Sequence, residues 1–539
     1  MAEDTPMDYF PLPIIREQQR DALNFFYESV LQGYNDIVVN APTGTGKSPF
    51  GLAACFWANS VSLKGYKSGG YYLVTQKTLQ DQLENEFRKF LPRFNNRAAS
   101  IRSANEYPCQ KYTTCGMGGK MTGATRCQNR VEGGCPYKIA KNAFEFAIAG
   151  ITNYPYFFTE HVHINMLEPR NLLVLDEAHT LERQITSFVE VCVDKTSLDT
   201  WAPLLKPVKR MPSIEEFCEW LLKVYLKVLI ERQKMLYENI VMGGHRGKAQ
   251  IDEHARLENH IGRTLMAAQE MTRNPEDWVY WQEKNEDGLT STAKPLSAVP
   301  FTPQLLNEMS DTRLYMSAYM GPKDVFCRSL GLNPKRTAWL ELDSAFPAEN
   351  RPIHVVPVGS MGRQFLDSTT PHLLEMCSTV IEAHKEEKGI IHCVSYKLGI
   401  DIFNHLRSRG QGHRILFPRK AEERASLLVQ HRRTKTPTVI ISPSMGEGYS
   451  FDDDLARFQI IAKVNWPYLG DRQIEAKMKM DQDWYTLQTA MSIIQACGRI
   501  VRSATDRGVS YILDADFLRL HEQNNRFFPK WFQDAVKFH

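Results

Sequence analysis

The residues best suited to chemistry near the start of the chain form a glycine-rich loop, Ala41-Pro-Thr-Gly-Thr-Gly-Lys-Ser48. The loop follows an apolar run and precedes a helical pattern, which is the order of a phosphate-binding loop, although the strict pattern has glycine where Ala41 stands. Backbone N–H groups wrap phosphates, Lys47 pairs with them and Ser48 binds Mg²⁺. The loop therefore predicts binding of ATP and Mg²⁺. The predicted contacts are Thr43, Gly44, Thr45, Gly46, Lys47 and Ser48.

Two carboxylates follow a second apolar run, in Leu173-Val-Leu-Asp-Glu-Ala-His179. The carboxyl ends of parallel strands form the usual ligand edge of an α/β sheet. We predict that Asp176 holds Mg²⁺, usually through water, and that Glu177 orients and deprotonates an attacking water. Acidic pairs also occur at strand ends without any catalytic role, but the combination with Lys47 favours hydrolysis.

A third candidate segment is Gln495-Ala-Cys-Gly-Arg499-Ile-Val-Arg502. A helix beginning near Thr489 places the two arginines, three residues apart, on one face. Arginine side chains stabilise the charge on a transferring phosphoryl group. We therefore predict that Gln495, Arg499 and Arg502 complete an ATP site from a second α/β unit. The alternative is that the two arginines belong to an ordinary solvated basic face of the helix, and their position in a second α/β unit favours the first interpretation.

The elements that position these residues alternate between short apolar runs and helical patterns, which predicts an α/β fold with parallel sheets. The apolar runs are Asp36 to Asn40, Tyr71 to Thr75, Asn171 to Leu175, Gly389 to Cys393, Pro437 to Ser442 and Gln459 to Val464. Two stretches interrupt the alternation. Residues 97–141 are rich in Gly, Cys and Tyr and have little periodicity. Residues 191–310 have long helical patterns, one of which begins at a capping box, Ser213-Ile-Glu-Glu216.

Length and composition exclude several classes of protein. The 539 residues are 43% hydrophobic and 24% charged, as in ordinary folded chains, which excludes a peptide or a mini-protein. The net charge, 65 − 62 = +3, does not by itself indicate a nucleic-acid partner. We expect neither membrane residence nor secretion, because no run approaches about 18 apolar residues and the first residues lack the pattern of a signal peptide.

Seven segments in this order resemble the motifs of the iron–sulfur branch of superfamily 2 DNA helicases, the XPD/DinG family. They are Pro11 to Gln19, Leu73 to Leu83, Gly150 to Tyr154, Ser344 to Arg351, Gly389 to Tyr396, Ser444 to Gly448 and Gln495 to Arg502. The resemblance implies two RecA-like parallel-sheet motor domains, with an iron–sulfur insertion and a helical arch-like insertion in the first. The implied division gives 1–96, 151–190 and 311–343 to the first motor domain, 97–150 to the cluster insertion, 191–310 to the helical insertion and 344–539 to the second motor domain.

The same resemblance implies an ATP-dependent DNA helicase that moves 5′→3′ on single-stranded DNA and opens forked or tailed duplexes, in DNA repair or replication. It implies nucleotide contacts from Arg16, Gln19, Glu447 and Gly448 and a DNA contact from Thr75. The chain departs from the family at Ser317-Ala318-Tyr319, where Ser-Ala-Thr is usual, and at Ser450, where aspartate is usual and Asp452 lies nearby. These departures concern the coupling of hydrolysis to movement rather than ATP binding.

Four of the eleven cysteines, Cys109, Cys115, Cys127 and Cys135, fall within 27 residues. Their spacing lacks the close pairs of zinc sites and does not match ferredoxin runs, so spacing alone leaves an iron–sulfur cluster, structural zinc and no metal open. Their place between two motifs and the ending Cys135-Pro-Tyr137 resemble the family's [4Fe–4S] domain, which is the ligand set that the resemblance implies. The other seven cysteines are scattered, which predicts a reducing compartment, cytoplasmic or, in a eukaryote, nuclear.

Basic residues surround these cysteines. Residues 97–141 carry eight basic and two acidic side chains, a local charge of 8 − 2 = +6, beside three tyrosines. Cations and aromatic faces are what a single-strand channel uses, so a motor beside this segment favours DNA contact over a solvated loop. The predicted DNA contacts are Tyr112, Arg126, Arg130 and Lys138.

Two other functions remain open at this point. An RNA-directed or protein-displacing ATPase would use the same motor residues, and a scaffold could bind nucleic acid and keep the cluster. The pair Asp176 and Glu177 argues against the scaffold, because binding alone needs no water-activating carboxylate. We expect a monomer, with loading or repair partners that the residues do not identify.

Replacing any one of the four clustered cysteines with Ser is expected to abolish bound iron, because each supplies one thiolate ligand. The iron content and visible spectrum of anaerobically purified protein measure the loss, and the scattered Cys192→Ser variant is the control. Unchanged iron in one variant would remove that cysteine from the ligand set.

Overall fold

The computed structural model describes residues 4–61, 66–90, 97–109, 134–164, 167–205, 210–242, 248–285, 288–420, 422–443, 451, 453–501, 503 and 505–539. The chain divides into two compact units. The first comprises Met1–Asn40, Gly46–Ser317 and Phe326–Leu340, and the second comprises Ala41–Thr45, Ala318–Val325 and Glu341–His539. Within the described ranges, no helix is long and apolar enough to cross a lipid bilayer.

A seven-stranded sheet forms the centre of the first unit. The strands up to residue 341 are β1 (Asp36–Asn40), β2 (Lys67–Val74), β3 (Ala98–Ser100), β4 (Ala149–Asn153), β5 (Arg170–Asp176), β6 (Val191–Val193), β7 (Trp278–Asn285), β8 (Gly288–Pro295), β9 (Thr312–Ser317) and β10 (Thr337–Glu341). The sheet order is β10-β1-β9-β5-β2-β4-β3. The neighbouring pairs β1-β9, β9-β5, β5-β2, β2-β4 and β4-β3 are parallel. Strand β9 therefore lies between the strand that precedes the glycine-rich loop and the strand that ends in Asp176.

Helices cover this sheet and continue into the segments between its strands. They are α1 (Glu17–Leu31), α2 (Lys47–Trp57), α3 (Lys77–Phe90), α4 (Pro136–Phe146), α5 (Tyr154–Thr159), α6 (Leu181–Val189), α7 (Lys195–Trp201), α8 (Ile214–Trp220), α9 (Leu226–Met242), α10 (Lys248–Arg273) and α11 (Lys323–Leu330). Short 3-10 or π segments lie at Pro6–Tyr9, Ala104–Glu106, Glu160–Ile164, Ala178–Thr180, Leu221–Tyr225, Pro275–Asp277, Pro303–Asn307 and Pro334–Arg336.

The second unit also contains a seven-stranded sheet. Its strands are β11 (Ile353–Gly359), β12 (Gly389–His392), β13 (Ile415–Leu416), β14 (Val439–Ser442), β15 (Phe458–Ile461), β16 (Val509–Asp514) and β17 (Val536–Phe538), in the order β13-β14-β12-β15-β16-β11-β17. Every pair in it is parallel. The prediction of two parallel-sheet α/β domains is confirmed.

Helices and short 3-10 segments complete the second unit. The helices are α12 (Leu366–Ala383), α13 (Tyr396–Ser408), α14 (Glu423–Arg433), α15 (Arg472–Met480), α16 (Gln482–Cys497), α17 (Asp516–Gln523) and α18 (Lys530–Gln533). The 3-10 segments are Ala348–Asn350, Gly412–Arg414, Asp453–Leu455 and Asn525–Phe527.

The segment 191–310, which the sequence predicts to be helical, also contains a three-stranded antiparallel sheet of order β6-β8-β7. Aromatic and β-branched residues in Trp278–Asn285 and Gly288–Pro295 favour strands, and Gly288 has a φ of 127° at the start of the second one. The predicted capping box is confirmed at its first residue, because the Ser213 hydroxyl accepts a hydrogen bond of 3.3 Å from the Glu216 N–H.

Strand β5 begins at a fully buried arginine, Arg170. Its guanidinium donates hydrogen bonds to carbonyls at the end of α4 and just beyond it, including Phe144 (3.0 Å) and Ala147 (2.8 Å), and to the Gly70 carbonyl of β2 (3.1 Å). The guanidinium carbon also lies 4.3 Å from the centre of the Tyr71 ring. Arg170 therefore fixes the end of α4 to the sheet and satisfies carbonyls that a helix end leaves unpaired.

We predict that Arg170→Met lowers the free energy of unfolding by more than about 2 kcal/mol, because several buried carbonyls lose their donors. Thermal unfolding of the purified variant measures the loss. Arg273→Met, at the exposed end of α10, is the matched control and should change stability by less than about 0.5 kcal/mol. Equal unfolding temperatures for the two variants would contradict this assignment.

Candidate nucleotide-binding and hydrolysis site

The glycine-rich loop between β1 and α2 contains two glycines in the left-handed region. Gly44 has a φ of 87° and Gly46 a φ of 85°, values that other residues adopt at a cost. The N–H and hydroxyl of Thr45 both donate to the Pro42 carbonyl, at 3.2 and 2.6 Å. Lys47 and Ser48 open α2, so an ammonium, a hydroxyl and the positive end of a helix lie together. These groups fit a bound phosphate.

Gln19 links the start of α1 to this loop. Its Oε1 accepts a hydrogen bond from the Arg16 N–H (3.0 Å), and its Nε2 donates to the Gly46 carbonyl (3.2 Å). A side chain at Gly46 would meet that nitrogen, and the positive φ there also favours glycine. Gln19, predicted to contact the nucleotide, therefore holds the loop that precedes α2, and Arg16 shares this contact through its backbone.

Asp176 ends β5 at the same edge of the sheet. Its Oδ1 accepts a hydrogen bond from the Glu177 N–H, and its Oδ2 accepts one from the Tyr72 hydroxyl, both at 2.9 Å. Desolvation and the Glu177 charge raise the pKa of Asp176 to about 6, and the Lys47 ammonium opposes this rise. The Asp176 carboxylate and the Ser48 hydroxyl are oxygen ligands of the kind that Mg²⁺ prefers. The charge of a bound Mg²⁺ would favour the ionised form of Asp176.

Tyr72 joins the two parts of the site. The side chain is fully buried on β2, and its hydroxyl hydrogen-bonds the Ser48 hydroxyl as well as Asp176. Burial and the charge of Asp176 raise the pKa of Tyr72 well above its usual value, so the phenol keeps its proton and remains a donor. The Tyr154 hydroxyl donates to the Asp176 backbone carbonyl at 2.8 Å.

Glu177 has a φ of 51° and a ψ of 42°, a left-handed conformation that costs a non-glycine residue energy. Two hydrogen bonds of 3.0 Å, from the Thr180 N–H and hydroxyl, hold its carbonyl. The His179 Nδ1 lies 3.3 Å from the Glu177 Oε2 and 2.7 Å from the Ser317 Oγ. Glu177 is thus held at the sheet edge with its carboxylate beside an imidazole.

Sequence reasoning missed the roles of Tyr72 and of the Ser317 hydroxyl in this site. The contact from Tyr72 to Asp176 joins residues 104 apart, and the contact from His179 to Ser317 joins residues 138 apart. The available signals are a polar-tipped side chain inside the apolar run before Thr75, and a serine at the end of a run that contains Leu314 and Met316. Neither signal identifies its partner without the sheet order.

The prediction of two arginines on one helical face is wrong. Helix α16 ends at Cys497 and Gly498 is its C-cap residue, because glycine is a poor helix former. Gln495 lies in the last turn and is half-buried, whereas Arg499 follows the helix with 9% exposure. The Arg499 N–H donates to the Ala496 carbonyl at 3.2 Å. Arg502, Glu447 and Gly448 lie outside the described residues.

The surroundings of Arg499 in the second unit include a buried polar chain. The His392 Nε2 lies 3.1 Å from the Gln459 Oε1, and the Gln459 Nε2 donates to the Ser510 Oγ at 2.8 Å. Burial lowers the pKa of His392 to about 4, the Gln459 hydrogen bond opposes this shift, and the Arg499 charge adds to it. The imidazole therefore stays neutral beside Arg499 at ordinary pH.

Two of the four clustered cysteines are described. Cys135 is buried and is the N-cap of α4, where its sulfur accepts a hydrogen bond of 3.5 Å from the Lys138 N–H, and Cys109 is partly exposed. Among the described residues, no group of three or more His, Cys, Asp or Glu side chains could hold a metal. Thr75 directly follows β2. The predicted ligands and DNA contacts Cys115, Cys127, Tyr112, Arg126 and Arg130 lie outside the described residues.

Two family models match the chain. The model described as "Type III restriction enzyme, res subunit" matches residues 13–204, and the model "Helicase C-terminal domain" matches residues 378–535. The regulator of telomere elongation helicase 1 homolog of Caenorhabditis elegans is 24% identical over 144 residues, 23% of this chain and 14% of that protein. The Fanconi anemia group J protein homolog of Gallus gallus is 26% identical over 132 residues, 22% of this chain and 10% of that protein. The matches thus span a small part of these relatives.

Solved structures match the fold over nearly the whole chain. An XPD helicase structure gives a TM-score of 0.63 at 15% identity and covers 98% of this chain and all of the other. The structure of S. tokodaii Xpd4 gives a TM-score of 0.57 at 14% identity, with 97% of this chain and all of the other covered. At these identities, the similarity concerns the fold.

We predict that Tyr72→Phe lowers ATP turnover about tenfold, because the ring still fills its place but Asp176 and Ser48 lose the hydroxyl that joins them. Steady-state turnover at saturating Mg²⁺ and the unfolding temperature measure the two effects. Tyr315→Phe is the matched control, since that fully buried hydroxyl donates to Asp36 at the opposite end of the sheet. Equal turnover by the two variants would contradict a role for Tyr72 in the site.

Proposed function

We propose that this chain is an ATP-hydrolysing DNA helicase. Its family models, relatives and fold confirm the resemblance to the XPD/DinG family of superfamily 2 helicases. The observation that supports hydrolysis most strongly is the strained, imidazole-paired Glu177 beside Asp176, Ser48 and Lys47. A site that only binds nucleotide has no need of a second carboxylate in a costly backbone conformation.

In the proposed mechanism, the terminal phosphoryl group of bound ATP would pass to water with ADP as the leaving group, and Mg²⁺ would neutralise phosphate charge. Lys47 and the backbone of the loop would bind the phosphates, and Ser48 and Asp176 would hold the cation. Tyr72 keeps the last two groups together. Glu177 orients the attacking water and accepts its proton, while His179 fixes the carboxylate. Gln495, Arg499 and Arg502 are the residues of the second unit that we assign to stabilising transition-state charge.

We further infer that the substrate is single-stranded DNA joined to a forked or tailed duplex, with movement 5′→3′. The support is the family resemblance together with the basic, tyrosine-containing segment 97–141 and Thr75 at the end of β2. Lys138 belongs to this segment, as do Tyr112, Arg126 and Arg130. The roles in DNA repair or replication and the monomeric state are part of the same proposal.

The cysteine segment is proposed to hold a [4Fe–4S] cluster through Cys109, Cys115, Cys127 and Cys135, which would order the DNA-contacting segment. Cys135 supports this, because it is buried at the start of a helix whose other end is fixed by Arg170. The proposed reducing compartment, cytoplasmic or nuclear, rests on the scattered positions of the other seven cysteines in the sequence.

The test is ATP turnover by anaerobically purified protein with single-stranded DNA, with single-stranded RNA and with neither. We expect DNA to stimulate turnover, and Glu177→Gln to reduce it at least about a hundredfold while nucleotide binding persists. Glu182→Gln, a carboxylate in the first turn of α6, is the control and should stay within twofold of the unmodified chain.

The other outcomes distinguish the alternatives. Stronger stimulation by RNA would favour an RNA-directed ATPase, and absence of turnover in the unmodified chain would favour the nucleic-acid-binding scaffold. Duplexes with a 5′ or a 3′ tail test direction, because opening of only the 3′-tailed duplex would contradict 5′→3′ movement.

A further inference from the structure

Asn40, the last residue of β1, has a buried amide without partners. The residue is 1% exposed, and among the residues that the structure describes neither its Oδ1 nor its Nδ2 has a hydrogen-bond partner. A buried polar group that lacks its hydrogen bond costs about 1–3 kcal/mol, and this side chain leaves two such groups unpaired. Native proteins pair most buried polar groups, so an amide of this kind marks a place where a bound ligand or an ordered water would supply the partner.

The sheet register shows which groups lie beside this amide. Asn40 is in parallel register with Ser317 of β9, so the two side chains project from the same face of neighbouring strands. Ser317 is the residue whose hydroxyl lies 2.7 Å from the His179 Nδ1. On the other side of β9, Asp176 is in register with Met316. Asn40 therefore lies one strand away from the group that holds the proposed catalytic carboxylate.

The direction in which the Ser317 hydroxyl donates decides whether the His179 Nδ1 carries a hydrogen. The His179 Nδ1 is close to both the Ser317 Oγ and the Glu177 Oε2. If the Ser317 hydroxyl donates to Nδ1, that nitrogen is an acceptor and faces the Glu177 carboxylate without a proton. If the Ser317 hydroxyl donates elsewhere, Nδ1 carries the proton and can donate to the carboxylate.

We propose that Asn40 is a positioning residue for ATP turnover, whose amide acquires partners when nucleotide is bound. Its Oδ1 then accepts a hydrogen bond from the Ser317 hydroxyl, so that the His179 Nδ1 carries the hydrogen and donates to Glu177. Its Nδ2 donates to a nucleotide phosphate or to a water bound to that phosphate. The inference rests on the proposed function, because it requires the loop after Asn40 to bind a nucleotide.

The residues at the end of β9 fit a positioning role for Asn40. The third residue of Ser317-Ala318-Tyr319 is a tyrosine that is 5% exposed and belongs to an apolar cluster with Val325 and Leu487. The short hydroxyl that usually follows at that position is therefore replaced by a large buried ring. Asn40 supplies a polar group next to Ser317 from the neighbouring strand instead.

Asn40→Leu tests the proposal, because leucine has nearly the same shape and no polar atoms. In the nucleotide-free protein, we expect an unfolding temperature equal to or above that of the unmodified chain, since two unpaired groups are removed. The rise in unfolding temperature on adding Mg²⁺ and ADP or a non-hydrolysable ATP analogue should shrink. Turnover should show a kcat about tenfold lower with little change in the KM for DNA.

Asn171→Leu is the matched control. Asn171 is also a buried asparagine of this sheet, but its Nδ2 donates to the Ala58 and Val61 carbonyls, both at 2.9 Å, at the opposite end of β5. This variant should unfold at a lower temperature and keep its nucleotide response and its kcat per folded molecule. Asn40→Asp, which retains the acceptor oxygen, should recover part of the kcat lost in Asn40→Leu.

Each remaining outcome would overturn the proposal. Asn40→Leu with an unchanged kcat and an unchanged nucleotide response would show that the amide takes no part in turnover. A lower nucleotide-free unfolding temperature with an unchanged kcat per folded molecule would assign Asn40 a structural role only. If the unmodified chain itself neither responds to Mg²⁺ with nucleotide nor hydrolyses ATP, the proposed function fails and this inference fails with it.

Discussion

The buried guanidinium of Arg170 is the constraint on which the first unit most depends. Among the described residues this charge has no carboxylate partner, and backbone carbonyls from the end of α4 and from β2 accept its hydrogen bonds instead. Those carbonyls need donors and the guanidinium needs acceptors, so neither is stable in the interior without the other. Because Arg170 also begins β5, the helix that starts at Cys135 and the strand that ends at Asp176 are held by the same side chain.

The opposite end of β5 obeys a different electrostatic rule. Two neighbouring carboxylates lie here, and burial together with the Glu177 charge raises the pKa of Asp176 to about 6. Hydrogen bonds from a tyrosine hydroxyl and from one N–H stabilise the ionised carboxylate in part. Such an arrangement is unfavourable until a cation arrives, as expected of a metal-binding edge. The strained Glu177 backbone and the unpaired Asn40 amide lie at this same edge. Local instability is thus concentrated where a ligand can relieve it.

The sequence predicted strands at β1, β2, β5, β12, β14 and β15, because each is a nearly continuous apolar run. It did not predict β9, whose six residues include a buried arginine, Arg313, paired with Asp36. It also extended α16 beyond its glycine cap to Arg499. At the site, local motifs identified Lys47, Ser48, Asp176 and Glu177, but Tyr72, Ser317 and Asn40 acquire their roles from strand order, which local patterns do not encode.

The position of β9 in the sheet has a kinetic consequence. Its residues separate β1 from β5, yet Arg313 and its partner Asp36 are 277 residues apart in the chain. At synthesis rates of about 5–20 residues per second, β1 waits roughly 15–55 s for its neighbour to leave the ribosome. Pairing across so long a loop is also entropically costly and slow. The nucleotide edge is therefore among the last parts of this unit to form, and until then an apolar strand is exposed to chaperones and to other nascent chains.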